Sequence, residues 1–207
     1  MKKQKTHCIN NSKGFTLVEL MVLVAIIGVL AGLATSSLYN PRTRLRAAAR
    51  DIVSQVQNAR FKALETGETW AVQFDTSSET PSYRILSSKG DDKIWNTADD
   101  TEYRIVYLDD YPGTSFGSGH GAAPKDYGKG NIDNGMTAFE NRFIFTATGM
   151  TDYKADDVAT TENKYKDETS QGVVYIKTKK GETFAVGMIS LSGMIKTWRN
   201  YDSGWEE

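Results

Sequence analysis

The sequence predicts an α+β chain: a long N-terminal helix packed on an antiparallel β-sheet or small sandwich. Three observations carry this. An apolar run without charge covers Leu20–Ala34. The pattern then turns amphipathic over Arg42–Glu65, with apolar residues at three- and four-residue steps. Beyond Gly67, short β-branched and aromatic segments alternate with Gly, Ser, Asp and Asn clusters.

The chain has 207 residues, enough for one domain with a real core. Its net charge of -1 excludes a globally basic nucleic-acid binder, and 39% hydrophobic with 25% charged residues excludes a multi-span membrane protein. One Cys and two His draw no disulfide framework, zinc site or haem attachment. The charge is polarised. Residues 1–14 hold Lys2, Lys3, Lys5 and Lys13 and no acid, while the remaining 193 residues hold 21 basic and 26 acidic side chains.

Phe15–Leu38 is a 24-residue segment, which as a helix spans roughly the 30 Å of a bilayer core. Basic residues before it and none inside it place the N-terminus in the cytoplasm and the rest outside. An ordinary signal peptide fits less well: Ala31-Gly32-Leu33-Ala34 is the nearest cleavage site, and the apolar run continues past it. Glu19 is the odd residue, because a carboxylate inside a membrane helix costs about 2.5–3.5 kcal/mol and needs a partner or a task.

Lys13-Gly14-Phe15-Thr16-Leu17-Val18-Glu19-Leu20 resembles the prepilin signature of type IV pilins and type II secretion pseudopilins. The resemblance implies removal of the basic leader 1–14 by the prepilin peptidase, between Gly14 and Phe15, and methylation of the new Phe15 N-terminus. It implies that Glu19 pairs with a neighbouring N-terminal amine and sets subunit register during filament assembly. It also implies an inner-membrane protein with one span over 15–38, later a filament subunit among other pilins or pseudopilins. Many family members carry a Pro about twenty residues after the cut; here Gly28 and Gly32 are the softer points and the first Pro is Pro41.

Residues 39–67 extend the helix. Leu45, Ala48, Ala49, Ile52, Val53, Val56, Ala59, Ala63 and Leu64 form its apolar stripe, and Gly67 its stop. One continuous helix from Phe15 to about Thr66 would measure about 80 Å. Arg42, Arg44, Arg46 and Arg50 read either as a solvated face near lipid headgroups or as partners for neighbouring subunits. Ala47–Ile52 and Gln57–Arg60 resemble the helix of GspH/FimT-type minor pseudopilins and minor pilins.

Residues 68–207 form the β-rich domain, expected in the periplasm. Strands are expected at Thr69–Asp75, Tyr83–Ser87, Tyr103–Leu108, Arg142–Thr146, Val173–Thr178, Thr183–Ser190 and Met194–Arg199. Turns are expected at Lys179–Glu182 and Ser192-Gly193. Gly117–Gly135 reads as an exposed loop and Asp152–Ser170 as a polar insertion. Phe143–Gly149, Gly172–Ile176 and Val186–Gly193 again resemble the GspH/FimT type.

Three groups bear on chemistry. Asp91, Asp92, Asn96, Asp99 and Asp100 place five oxygen ligands in ten residues. The spacing is not that of an EF-hand. The stretch resembles the calcium-holding loop of major pseudopilins, with its Gly-Asp start and Thr-x-Asp-Asp end, which implies calcium; a solvated turn is the other reading. Lys177, Lys179, Lys180, Lys196 and Arg199, with Trp198 for stacking, resemble the basic C-terminal strand of DNA-uptake pilins, against which the acidic balance of the exported part argues. Catalysis has no constellation. His120 stands among glycines, Ser190–Gly193 has no base nearby in sequence, and Asp109/Asp110 and Asp156/Asp157 read as solvated pairs. The expected function is that of a minor pseudopilin (GspH/FimT type) of a type II secretion system, not an enzyme. The alternative is a minor pilin of a type IV pilus, with DNA as a partner in that reading alone.

Overall fold

A computed structural model describes residues 15–38, 40–92, 94–124, 132–137, 141–151, 172–201 and 204–207; of residues 34–38 and 133 it describes the backbone only. The expected insertion Asp152–Ser170 lies outside the described residues. The chain divides into two compact units, Met1–Asn40 and Pro41–Glu207.

The first unit is the helix α1, Leu17–Leu38. Thr16 caps it. The Thr16 hydroxyl accepts the Glu19 N–H at 3.2 Å, while Glu19 Oε2 accepts the Thr16 N–H and hydroxyl, both at 2.9 Å. This is a capping box, in which two otherwise orphaned donors are satisfied reciprocally. All the large apolar side chains described on α1, from Leu17 to Leu33, are more than half exposed. Among the described residues no helix is long and apolar enough to cross a membrane; the side chains described on α1 end at Leu33, and its backbone continues to Leu38.

The expected single helix is in fact two. α2 runs Pro41–Thr66, and Asn40 between them has no helical assignment. The reason is Pro41. It has no N–H to donate into a preceding turn, its ring clashes with the carbonyl four residues back, and it drives the residue before it out of helical geometry. At the first position of a new helix the same residue is favoured. Gly28 and Gly32, expected as the soft points, lie inside unbroken helix.

The second unit is built around α2. Leu45, Ala48, Ala49, Ile52, Gln55, Val56, Ala59 and Ala63 are buried along one stripe. Four of these are alanines, so the helix axis approaches the strands closely. Two antiparallel sheets meet it. The first has the order β3-β2-β1-β5 and contains β1 Trp70–Asp75, β2 Ser82–Ser88, β3 Thr101–Tyr107 and β5 Arg142–Phe145. The second has the order β4-β6-β7-β8-β9, with β4 Thr114–Phe116, β6 Gly172–Thr178, β7 Thr183–Met188, β8 Ile195–Asn200 and β9 Trp205–Glu206. Strand alternation sorts the side chains. Trp70, Val72, Phe74, Val174, Ile176, Val186 and Met188 point into one core with the α2 stripe. Ala71, Leu86 and Ile144 form a cluster on the far side of the first sheet, and Val173, Tyr175, Ala185 and Trp198 another on the far side of the second. Gly187 is required there, since a Cβ would lie 2.7 Å from the Trp198 ring.

The seven expected strands are all present, with ends shifted by up to two residues. Leu108 leaves β3 for a short 3-10 turn, Leu108–Asp110. β4 and β9, of three and two residues, were not expected. The Gly117–Gly135 segment is not simply exposed where described. Gly117 donates to the Tyr175 carbonyl at 3.0 Å, Gly119 to the Thr183 hydroxyl at 2.9 Å and Ala123 to the Tyr175 hydroxyl at 3.0 Å. These bonds lay the segment over the outer cluster of the second sheet.

One polar contact pins α2 to the first sheet. The buried Tyr83 hydroxyl donates to Asp51 Oδ2, and Gln55 donates to Oδ1 of the same carboxylate at 3.3 Å. Burial, then the Asp51 carboxylate, pushes the Tyr83 phenol far above its ordinary range.

Two outcomes follow. Ile52→Ala, at a fully buried position, is expected to lower unfolding free energy in a denaturant titration by about 2–5 kcal/mol. The stability tied to Tyr83 is complete below the unfolded tyrosine pKa of ~10 and is lost only as pH rises through the higher folded value. An alkaline absorbance titration should therefore show Tyr83, identified by difference against Tyr83→Phe, ionising only as the protein unfolds. Tyr83→Phe itself should cost about 1 kcal/mol.

Candidate functional site

At the N-terminus, Gly14 lies outside the described residues, and Phe15 is 79% exposed. Glu19 sits in the first turn of α1, where the helix dipole favours a carboxylate. Both of its bonds to Thr16 run to Oε2. The capping box was legible in the sequence as Thr16-x-x-Glu19 before an apolar run, and it gives Glu19 a structural task besides the one implied by resemblance.

The arginines at the start of α2 turn towards their own domain. Arg42 pairs with the buried Glu182 on the loop before β7. The guanidinium carbons of Arg42 and Arg46 lie 5.4 and 5.5 Å from the Tyr201 ring centroid, and Arg46 donates to the Tyr201 hydroxyl at 2.9 Å. Arg44 donates to the Pro112 carbonyl at 3.2 Å. Arg50 is exposed and, alone of the four, makes no hydrogen bond or ion pair among the described residues. So neither lipid headgroups nor a neighbouring subunit is needed to explain Arg42, Arg44 and Arg46. At the other end of α2, Arg60 reaches the Gly149 carbonyl at 3.0 Å and the Gly193 carbonyl at 3.2 Å, joining the turn after β5 to the turn before β8.

The acidic loop between β2 and β3 is folded by its own carboxylates. Asp99 Oδ2 accepts the N–H groups of Asp91 at 2.8 Å and Asp92 at 3.2 Å, and Oδ1 accepts the Thr97 hydroxyl at 2.7 Å. Asp100 Oδ2 accepts the N–H groups of Asn96 at 2.5 Å and Thr97 at 3.2 Å. Asp92 accepts the Ile94 N–H at 2.7 Å, and Asn96 Oδ1 accepts from Arg84. The Thr97 hydroxyl, then the Asp92 and Asp91 N–H groups, hold the Asp99 carboxyl below its ordinary range. Its contribution is therefore present above the unfolded carboxyl pKa and is lost as pH falls through the lower folded value. Among the described residues no group of three or more His, Cys, Asp or Glu is arranged to hold a metal ion. Sequence reading passed over Trp95. It is 2% exposed and packs on Ala71, Leu86 and Ile144, with Lys89 Nζ 5.7 Å from its ring centroid.

The basic residues are split. Lys177, Lys179, Lys180 and Arg199 lie at the β6–β7 hairpin end of the second sheet, where Lys177 faces Thr183 and Thr183 faces Asn200. Lys196 pairs with Gly187, four residues and about 13 Å further along β8. Lys196 forms an ion pair with Glu207, and Arg199 with Glu206 at 3.1 Å, so the unexpected strand β9 brings acids against two of the five cations. Trp198 is buried against the far-side cluster and is not available for stacking on a base.

Gln73, Phe74, Asp75, Arg84, Asn96 and Asn141 line a polar cleft of about 320 Å³. Ser190 Oγ is bonded to Ser192 Oγ at 2.8 Å and accepts the Met194 N–H at 3.2 Å, which is turn chemistry. His120 buries Nε2 without a hydrogen-bond partner among the described residues.

Residues 9–35 match the prokaryotic N-terminal methylation motif. Over 52 residues the chain is 44% identical to the pilin-like protein PilA1 of Thermus thermophilus, covering 25% of this chain and 33% of that protein. The match thus spans about a third of the length of that relative. Two solved structures overlap the fold: the minor pseudopilin EpsH from the type 2 secretion system of Vibrio cholerae and the type IV minor pilin FimU of Pseudomonas aeruginosa. Each gives a TM-score of 0.42, at 11% and 15% identity, over 74% and 80% of this chain and 95% of theirs. What the comparisons establish is the N-terminal motif: residues 9–35 of this chain carry a prokaryotic N-terminal methylation motif.

Proposed function

We propose that the chain is a structural filament subunit, a minor pseudopilin of the GspH/FimT type serving a type II secretion system. The observation that carries this is the N-terminal motif: a basic leader, the Gly14/Phe15 junction, Glu19 in the first helical turn and a helix whose described large apolar side chains are more than half exposed. In this reading the peptidase removes residues 1–14 and methylates Phe15. α1 first lies in the inner membrane, N-terminus on the cytoplasmic side, and then in the filament core. Burial of its apolar surface drives both placements. The domain from Pro41 onward stands in the periplasm and decorates the filament. The chain catalyses no step itself and is the peptidase's substrate.

A minor pilin of a type IV pilus is the second reading, favoured by the relative being a pilin-like protein. A photo-crosslinking residue in place of Gln57, on the exposed face of α2, separates the two in the native host. Secretion pseudopilins as crosslinked partners support the first reading; pilus subunits support the second.

The mature protein is expected to begin at a methylated Phe15 by mass spectrometry, and an N-terminus near Leu33 would refute processing of this kind. Glu19 has two separable tasks. Gln also completes a capping box but carries no charge. If Glu19 sets register by pairing with an amine, Glu19→Ala and Glu19→Gln both block assembly while leaving cleavage intact. If capping is its whole role, Glu19→Gln assembles normally.

A further inference from the structure

We propose that the Ser88–Asp100 loop is a metal-independent cover, closed by its own carboxylates and plugged onto the first sheet by Trp95, and that it does not take calcium. Four of the five side chains that resemble a calcium-ligand set, those of Asp92, Asn96, Asp99 and Asp100, are engaged by the protein's own donors without an ion. Gly90 has φ +67°, and a Cβ there would meet Asp99 Oδ2 at 2.3 Å, so glycine is what lets the Asp99 carboxylate close over the turn. Thr97 supplies the hydroxyl that binds Asp99 Oδ1. Asp99 and Asp100 each accept two backbone N–H groups, at opposite ends of the loop.

Calcium needs six to eight oxygens converging at about 2.3–2.6 Å. Here both oxygens of Asp99 are occupied by three donors, and Asp92 is turned onto the Ile94 N–H. The Asn96 oxygen accepts from the Arg84 guanidinium, a cation standing where a ligand set would require none. The one polar atom that Trp95 buries is Nε1–H, a donor without an acceptor among the described residues; a cation offers it nothing. The work done by the loop is apolar. Trp95 covers Ala71, Leu86 and Ile144, a face of the sheet that α2 does not reach.

The test uses the full chain in detergent micelles. Thermal unfolding is followed in millimolar EGTA and in millimolar calcium, together with Trp emission taken as the difference between the chain and its Trp95→Phe variant. Equal Tm, to within ~1 °C, and unchanged emission in the two conditions are expected. Asp99→Asn should lower Tm by several degrees to the same extent in both, about what loss of one charge-assisted acceptor entails. A Tm that falls by several degrees in EGTA, or a Trp95 emission that shifts red there, overturns the proposal. So does an Asp99→Asn variant with undiminished Tm. If that variant fails to fold, the comparison on the unaltered chain decides alone.

Discussion

The domain depends on a single shared surface: the buried stripe of α2, on which two separate sheets close. The inward residues of β1, β2 and β5 and those of β6 and β7 share one core with Leu45, Ala49, Ile52, Val56, Ala59 and Ala63, and Phe74 of the first sheet meets Phe116 of the second edge to face, with ring centroids 6.3 Å apart. The alanines permit close approach, and the large residues fill the space between layers. The polar flanks of the helix lock the placement. Asp51 holds Tyr83 on one sheet, Arg42 and Arg46 hold Glu182 and Tyr201 at the other, and Arg60 ties the two far turns together. A helix whose arginines are spent on its own domain has little left for unspecific contacts.

The two helices differ in what covers them. α2 is covered by its own strands. α1 presents more than half of each described large apolar side chain to the outside and carries one acid, hydrogen-bonded within its own cap. In the proposed function, lipid and then the apolar helices of other subunits cover this surface. Pro41 marks the point where one kind of cover gives way to the other.

Most of the strand pattern was legible because a strand covered on both faces reads as a short continuous apolar run bounded by turn residues. Val173, Val174, Tyr175 and Ile176 are all buried, on two different sides. Most of the apolar stripe of α2 was readable, but Leu64 is half exposed, Val53 is only partly buried and the buried Gln55 was not expected. What escaped was set by pairing partners rather than by local pattern. β4 and β9 are too short to signal themselves and exist by lying beside β6 and β8. Trp95 looked like one residue in an acidic loop, and its burial became apparent only once the loop folded over Ala71 and Leu86. The five basic residues were expected to share one patch; register separated Lys196, and the acids of the C-terminus reached two of them. The helix break at Pro41 had its signal in plain view, since a proline and the residue before it disfavour helix continuation. The capping box at Thr16 and Glu19 was equally readable and was eclipsed by the implied role of Glu19 in assembly.

The proposed function requires that lipid or other subunits cover α1, while α2, packed on its own strands, stands in the periplasm. Thiol labelling of intact cells tests it most directly, with single cysteines at Val24→Cys on α1 and Ser54→Cys on the exposed face of α2, in a chain whose Cys8 is replaced. A membrane-impermeant maleimide admitted to the periplasm should label Ser54→Cys readily and leave Val24→Cys unlabelled until the membrane is dissolved. Equal labelling of the two positions would contradict the account, because α1 would then stand in water.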